Sequence, residues 1–407
     1  MGLLVLDGDK VRFSTKVRSI FYSMDFTHGL RRALIMGLAL VYFVSLGFNV
    51  VWISSLFAIG SIVAMLLEFP TGAVADYDSR KKSLLISYTL FSFAFLGIFF
   101  TNTFWLIAFF WILSEVAWTF STGAGSAMVI DALGIAKKKS KIVKLISRGY
   151  IFEKSGRILG GFLGMVIIAI NFRLIWLIAG LMYLVLGFIV WKYMEERNFK
   201  PDKIKNNYFM KSFLKAKESF DYIIHEKNRN LRVLMLASIL STGVYSIFYF
   251  CVPLFFTQTM GMKPEFYSGL LSVLAILCLG GPLVTERIVK KKGYRILLFS
   301  ISVLGGISIM AMGFSNLLAA AIFFFAVLEV SGVIFDIVSQ AASHNEYDSK
   351  IRASLGSVSH ITWALSNSIG LFLAGVLISL IGVPYTLIVS GGIVFLMAFV
   401  YLGMREK

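Results

Sequence analysis

Residues 51–101 read VWISSLFAIGSIVAMLLEFPTGAVADYDSRKKSLLISYTLFSFAFLGIFFT. Two apolar runs, 51–75 and 83–101, flank a charged stretch, Asp76-Tyr77-Asp78-Ser79-Arg80-Lys81-Lys82. About 20 mostly apolar residues cross a bilayer as a helix, so each run reads as a span. The charged stretch then reads as a turn at one membrane face. The runs are continuous, which excludes the alternating ten-residue segments of a β-barrel.

Working outward, the same rule gives twelve spans: 17–46, 51–75, 83–101, 104–133, 146–171, 173–194, 231–258, 267–289, 294–313, 316–344, 356–381 and 384–404. Composition agrees. Of 407 residues, 58% are hydrophobic and 15% charged, against about 25% charged in soluble domains. Mean hydropathy is +0.81. These values exclude a soluble enzyme, a disordered chain and a collagen-like fibre. The two cysteines, Cys251 and Cys278, are too few for a disulfide framework or a zinc cluster. No removable signal peptide is expected, because MGLLVLDGDKVRFSTK has only a four-residue apolar run and no small-residue cleavage site.

The net charge of +17 would suggest nucleic acid in a soluble protein. Here its placement explains it. With both termini cytoplasmic, the outer loops hold only Arg173 and Lys263, and Arg31, Arg32, Lys154 and Arg157 fall within spans. The other 33 of the 39 Lys and Arg lie on the inner side, which follows the positive-inside rule. The longest polar stretch, 195–230, divides the chain into two halves of six spans. Within it Phe213, Ala216, Phe220, Ile223 and Ile224 recur at helical spacing beside Lys211, Lys215 and Lys217, the pattern of a short amphipathic helix on the inner leaflet. The expected organisation is therefore a cytoplasmic segment 1–16, a six-helix bundle 17–194, a cytoplasmic linker 195–230 and a second bundle 231–404. The fold class is all-α and integral to the membrane, with twelve helices in two pseudo-symmetric bundles.

The halves repeat. Ser45-Leu46-Gly47, Ser54 and Leu56 match Thr259-Met260-Gly261, Ser268 and Leu270 at an offset of 214, as Glu115-Val116 matches Glu329-Val330. Ser140-Lys141-Ile142 matches Ser349-Lys350-Ile351 at 209. Parallel six-span repeats with a site between them near mid-membrane are a transporter architecture.

On these features the chain resembles the major facilitator superfamily. Its loop between spans 2 and 3 is similar to the superfamily's Gly, three residues, Asp and basic cluster: Gly72-Ala-Val-Ala-Asp76, then Arg80-Lys81-Lys82. Tyr77 stands where a basic residue is usual, and Ser79 where Gly is usual. A degenerate copy runs from Gly281 to Glu286 and Lys290 to Gly293. The resemblance implies a latch of Asp76, Arg80 and Asp131. Gly72 is expected to let two helices approach closely, and Asp76 to lie against a helix N-terminus. Gly156-Arg157-Ile158-Leu159-Gly160-Gly161 resembles the antiporter element of the drug-exporter-like branch, with Arg157 in place of Pro; Gly156, Gly160 and Gly164 also form a small-residue packing stripe. The Arg that drug/proton antiporters often carry in span 4 is absent; Trp111 stands there, and Glu115 lies one turn on.

A charge at the centre of a span costs roughly 2.5–3.5 kcal/mol on insertion scales, so it usually faces a cavity or a partner. Span 1 carries Asp25, His28, Arg31 and Arg32, with Asp25, His28 and Arg32 on one helix face. Asp25 can carry a proton or meet a cation, His28 can sense pH, and Arg31 or Arg32 can bind an anion or neutralise a carboxylate. Glu153 and Arg157 are four apart and either satisfy each other or meet the substrate. Glu115 shares a face with Trp118 and Thr122. Glu329 and Asp336, seven apart in span 10, join Asp25 as proton-coupling candidates; pairing with a basic residue of another helix is the alternative. His360, Trp363 and Asn367 form one face of span 11. No nucleotide loop, metal motif or nucleophile elbow is visible, so no catalytic residue, metal or cofactor is expected. An ion gradient, of protons, supplies the work. The expected activity is proton-coupled, multidrug-like efflux of small amphipathic or cationic compounds by alternating access. Proton-coupled uptake symport of a small metabolite is the rival, with Arg31, Arg32 and Arg157 suited to an anionic one, and a membrane-embedded enzyme or a non-transporting sensor the more distant alternatives. The partners expected are a small-molecule substrate and membrane lipids, with no nucleic acid, and a monomer in the cell membrane.

Overall fold

The computed structural model describes residues 2–135, 138–199, 229–346 and 352–404. The expected amphipathic helix of the linker lies outside them. Every regular element among the described residues is helical: α1 Gly2–Arg31, a π-helical turn Arg32–Met36, α2 Ala39–Ser45, α3 Val50–Tyr77, α4 Arg80–Phe100, α5 Phe104–Ser121, α6 Ala124–Ala132, α7 Lys139–Ile170, α8 Leu174–Tyr193, α9 Arg229–Leu254 with a π-helical turn Phe255–Thr259, α10 Pro264–Leu277 with a 3₁₀ turn Cys278–Gly280, α11 Gly281–Phe314, α12 Leu318–Glu346, and α13 Arg352–Ala398 with a 3₁₀ turn Phe399–Gly403.

Two of these helices are each two crossings joined at a glycine. Gly293 in α11 has φ 68° and ψ 164°, and Gly382 in α13 has φ 77° and ψ 168°. Side chains rarely adopt that backbone, so glycine is where the chain can reverse. The breaks fall at the expected boundaries between spans 8 and 9 and between spans 11 and 12. With α1 and α2 as one crossing, α5 and α6 as another, and α10 continuing into the first arm of α11, the helices make twelve crossings. Eight described stretches are long and apolar enough to cross a membrane by length and composition alone, including Phe104–Ala132 and Ile361–Gly403. Neither α1 nor α7 is among them; both carry internal charges. Large apolar side chains such as Trp52, Phe100, Trp105, Ile170 and Leu380 lie exposed on the outside, the inversion expected where lipid is the solvent.

The chain forms two compact units. The first comprises Met1–Tyr42, Val63–Lys205 and Pro264–Ser272; the second comprises Phe43–Ile62, Asn206–Lys263 and Val273–Lys407. Glycine and serine explain why pieces of α3 and α10 join the unit of the other half. In the first unit, Ser268 and Ser272 of α10 donate to the carbonyls of Gly161 (2.8 Å) and Ile158 (2.7 Å) of α7. A side chain at Gly161 or Gly164 would collide with those serines. In the second unit, Ser54 of α3 occupies the space a side chain at Gly375 of α13 would need. Serine hydroxyls over bare glycine backbone let helices approach where the hydrophobic effect between them is weak.

Elsewhere in the first unit, α4 is the central strut. Ser83 and Ser87 donate to the carbonyls of Phe120 (2.7 Å) and Ala117 (2.6 Å) of α5, and its Phe91 stacks on Tyr183 of α8 at 4.4 Å. The closest packing is between α1 and α7. Gly29 lies against the Glu153 carbonyl, Gly156 against the Phe26 carbonyl, and Gly160 against Leu30 and Ala33. In the second unit, α9 packs on α13 through Gly243 and Gly370, and α11 on α13 through Gly306 and Gly391.

Candidate substrate and coupling site

Helix α1 carries Asp25, His28 and Arg31 at i, i+3 and i+6, and Arg32 opens the π-helical turn. Such turns widen the helix and recur at functional sites. His28 Nδ1 and the Tyr183 hydroxyl are hydrogen-bonded at 2.9 Å, the ring tautomer setting which donates. The His28 ring meets Trp118 of α5 edge-on at 5.5 Å. Arg31 is only 7% exposed. Its guanidinium carbon lies 5.1 Å from the ring centroids of both Phe91 and Trp118, a cation–π arrangement. Arg32 lies 5.7 Å from the Trp118 centroid and donates to Glu153 of α7 at 3.0 Å. Glu115, one turn from Trp118 on α5, acts electrostatically on Arg31. The Asp25 carboxyl packs on Gly149 of α7. The first unit thus gathers Asp25, His28, Arg31, Arg32, Glu115 and Glu153 around one aromatic cluster.

One pairing differs from the sequence reading. Glu153 takes Arg32 of α1 as its partner, not Arg157 of its own helix. The α1–α7 glycine contacts bring the two helices so close that the Arg32 guanidinium across the interface is nearer to Glu153 than the Arg157 guanidinium a turn away. Arg157 instead adds positive charge to the surroundings of Arg32, and Lys154 rests 4.9 Å from the Tyr150 ring centroid. Sequence reasoning missed Tyr183, Phe91 and Tyr88, whose ring lies 6.2 Å from that of His28 and 5.9 Å from that of Tyr183. The only signal for Tyr183 is a lone phenol within the apolar run of α8.

In the second unit, Glu329 is half-buried and Asp336 exposed on α12. Both act electrostatically on Tyr245 and Tyr249 of α9. Asn367 of α13 accepts from Ser246 at 2.7 Å and donates to Ser61 of α3 at 3.2 Å. His360 lies on α13, and its side chain is outside the described residues.

The α3–α4 loop keeps one expected contact and changes another. Arg80 forms an ion pair with Asp131 of α6. The anion at the α4 N-terminus, however, is Glu196, which accepts from the Arg80 backbone N–H at 2.7 Å and the Ser79 hydroxyl at 2.5 Å. Asp76, expected there, is exposed at the end of α3. Helix α4 begins at Arg80 with Ser79 as its cap, which leaves Asp76 a turn too early to reach the free N–H groups. Gly72 does not mediate close approach: among the described residues, a side chain there would meet nothing within 4 Å. Among the described residues no cluster of His, Cys, Asp or Glu could hold a metal.

A family model described as Major Facilitator Superfamily matches residues 22–345. The chain belongs to the major facilitator superfamily. It is a multi-pass membrane transporter rather than an enzyme. No curated protein matches it. Among solved structures, a mutant of the nucleoside transporter NupG is similar at 15% identity and a TM-score of 0.81, over 96% of this chain and all of that one. A POT family transporter in complex with 5-aminolevulinic acid is similar at 13% identity and 0.73, over 96% and 95% of the two chains. The human organic anion transporter MFSD10 (TETRAN) is similar at 13% identity and 0.63, over 95% and 99%. At these identities the likeness establishes the superfamily fold and nothing about substrate.

Proposed function

We propose that this member of the superfamily is a proton-coupled secondary active transporter that moves a small organic solute by alternating access, with both termini cytoplasmic. The observation that carries the reading is the charged cluster of the first unit. Arg31 and Arg32 lie where α1 passes into the π-helical turn, near Trp118, Phe91 and Tyr183, with Glu115 and Glu153 well inside α5 and α7. Each charge at that depth is costly, and a purely structural helix pair would do without them. The carboxyl groups suited to carry a proton are Asp25, which packs on bare backbone at Gly149, and Glu329 and Asp336, which face tyrosines. The Arg80–Asp131 pair serves as the gate latch, with Glu196 fixing the start of α4.

The glycine element that resembles the antiporters' is used in packing, Gly156 and Gly160 on α1 and Gly161 on α10. Direction is read from the sign of coupling. In proteoliposomes containing a trapped pH indicator, a transported solute moves protons with itself in symport and against itself in antiport. The expected result is solute-driven proton flux in the native protein and none when Asp25→Asn, Glu329→Gln and Asp336→Asn are combined. Unchanged proton flux in that triple variant contradicts coupling through these three carboxyl groups, and no solute-driven proton flux in the native protein contradicts proton coupling.

A further inference from the structure

We infer that the solute binds through a carboxylate that docks on Arg31, a deepening that rests on the transport reading above. Arg31 is the one charged side chain, among the described residues, that is more than nine-tenths buried. Its neighbour Arg32 has a carboxylate partner in Glu153. Arg31 has none within 4 Å among the described residues, and its Nε lacks a hydrogen-bond partner there. Glu115 influences it from beyond ion-pair distance.

The geometry selects the chemistry. Phe91 and Trp118 lie against the guanidinium and the Tyr183 hydroxyl is hydrogen-bonded to it, which fixes its position and leaves the remaining in-plane N–H donors as the means of recognition. A planar fork of donors matches a carboxylate in bidentate fashion. A buried cation without a bonded counter-charge is unfavourable, so a monoanion arriving there supplies what the fold leaves out. A cationic solute would instead face Arg31, Arg32 and Arg157 beside Asp25, Glu115 and Glu153. The most deeply buried of these charges is a base, Arg31, so the sequence expectation of cationic compounds fits this site less well than its rival.

The test uses the purified full chain and thermal-shift titrations with benzoate, propionate, benzylamine and inorganic phosphate. Benzoate or propionate should raise the melting temperature with saturation, and benzylamine and phosphate should not. Loss of a charge-assisted hydrogen bond predicts that Arg31→Gln weakens carboxylate binding about 10- to 100-fold. Arg31→Lys, which keeps the charge but not the fork, should fold and lie between. Equal affinity in Arg31→Lys and Arg31→Gln to the native protein overturns the assignment, as does stabilisation by benzylamine or phosphate alone, or by none of the four. Carboxylate binding without any solute-driven proton flux would sink the transport reading and leave the docking site standing. Flux with no carboxylate binding would do the reverse.

Discussion

Gly156→Val is expected to unfold the first unit or cost it roughly 3 kcal/mol or more, at the upper end of overpacking penalties. The reason is what the new atoms meet. At Gly156 the nearest neighbours of an added Cβ are the carbonyl oxygen of Phe26 and the backbone nitrogen of Leu30, the latter 3.0 Å away. Backbone cannot rotate aside as a side chain can, so α1 and α7 must separate. Separation also opens Gly29 from the Glu153 carbonyl and Gly160 from Ala33, and draws Arg32 away from Glu153. Gly72→Ala is the matched control, because an added Cβ there has open space among the described residues. That change should be neutral or stabilise by up to about 1 kcal/mol through helix propensity. Melting of the two variants in detergent, followed by circular dichroism, checks both. A Gly156→Val protein as stable as the native one would contradict the close α1–α7 contact.

Glu153→Gln is the second large effect. Arg32 then keeps its place over Trp118 with Arg31 and Arg157 nearby and no carboxylate bonded to it. The amide oxygen can still accept from Arg32, so what is lost is the counter-charge; the gap between charged and uncharged hydrogen bonds puts that at about 1–2 kcal/mol. The half-buried position of the pair, whose side chains are 35% and 20% exposed, argues against the larger penalty of a fully buried ion pair. Arg32→Gln alone should cost a similar amount. The double variant should cost less than the sum, with a coupling energy of about 0.5–3 kcal/mol. Strict additivity in the melting free energies would show that the two side chains do not interact.

The parts of the fold legible from sequence are those set by local physics. Apolar length marks the crossings, and the helix breaks at Gly293 and Gly382 fall between spans that apolar length already separates. The Arg80–Asp131 pair is the part of the α3–α4 loop that the resemblance to the superfamily implies and the structure contains. Partner choice inside the membrane was not readable. Whether Glu153 meets Arg157 or Arg32 depends on how closely α1 and α7 approach, and that is set by glycines on both helices. Tyr183, Tyr88 and Phe91 were missed for a related reason: an aromatic residue in an apolar span gives no sign of which neighbour its ring or hydroxyl faces. Asp76 was misplaced because the residue that takes the α4 N-terminus, Glu196, is more than a hundred positions away in sequence.

The central claim is that the charged cluster of the first unit communicates with each side of the membrane in turn. The direct measurement is labelling of a single cysteine at Glu115→Cys, with Cys251 and Cys278 replaced by serine, in right-side-out and inside-out vesicles. Glu115 lies eleven residues from the start of α5, too deep for one surface to reach without a cavity. The account predicts that a membrane-impermeant maleimide reacts from both sides, and that a bound carboxylate changes the ratio of the two rates. Reaction from neither side, or from one side only at every substrate concentration, would contradict it.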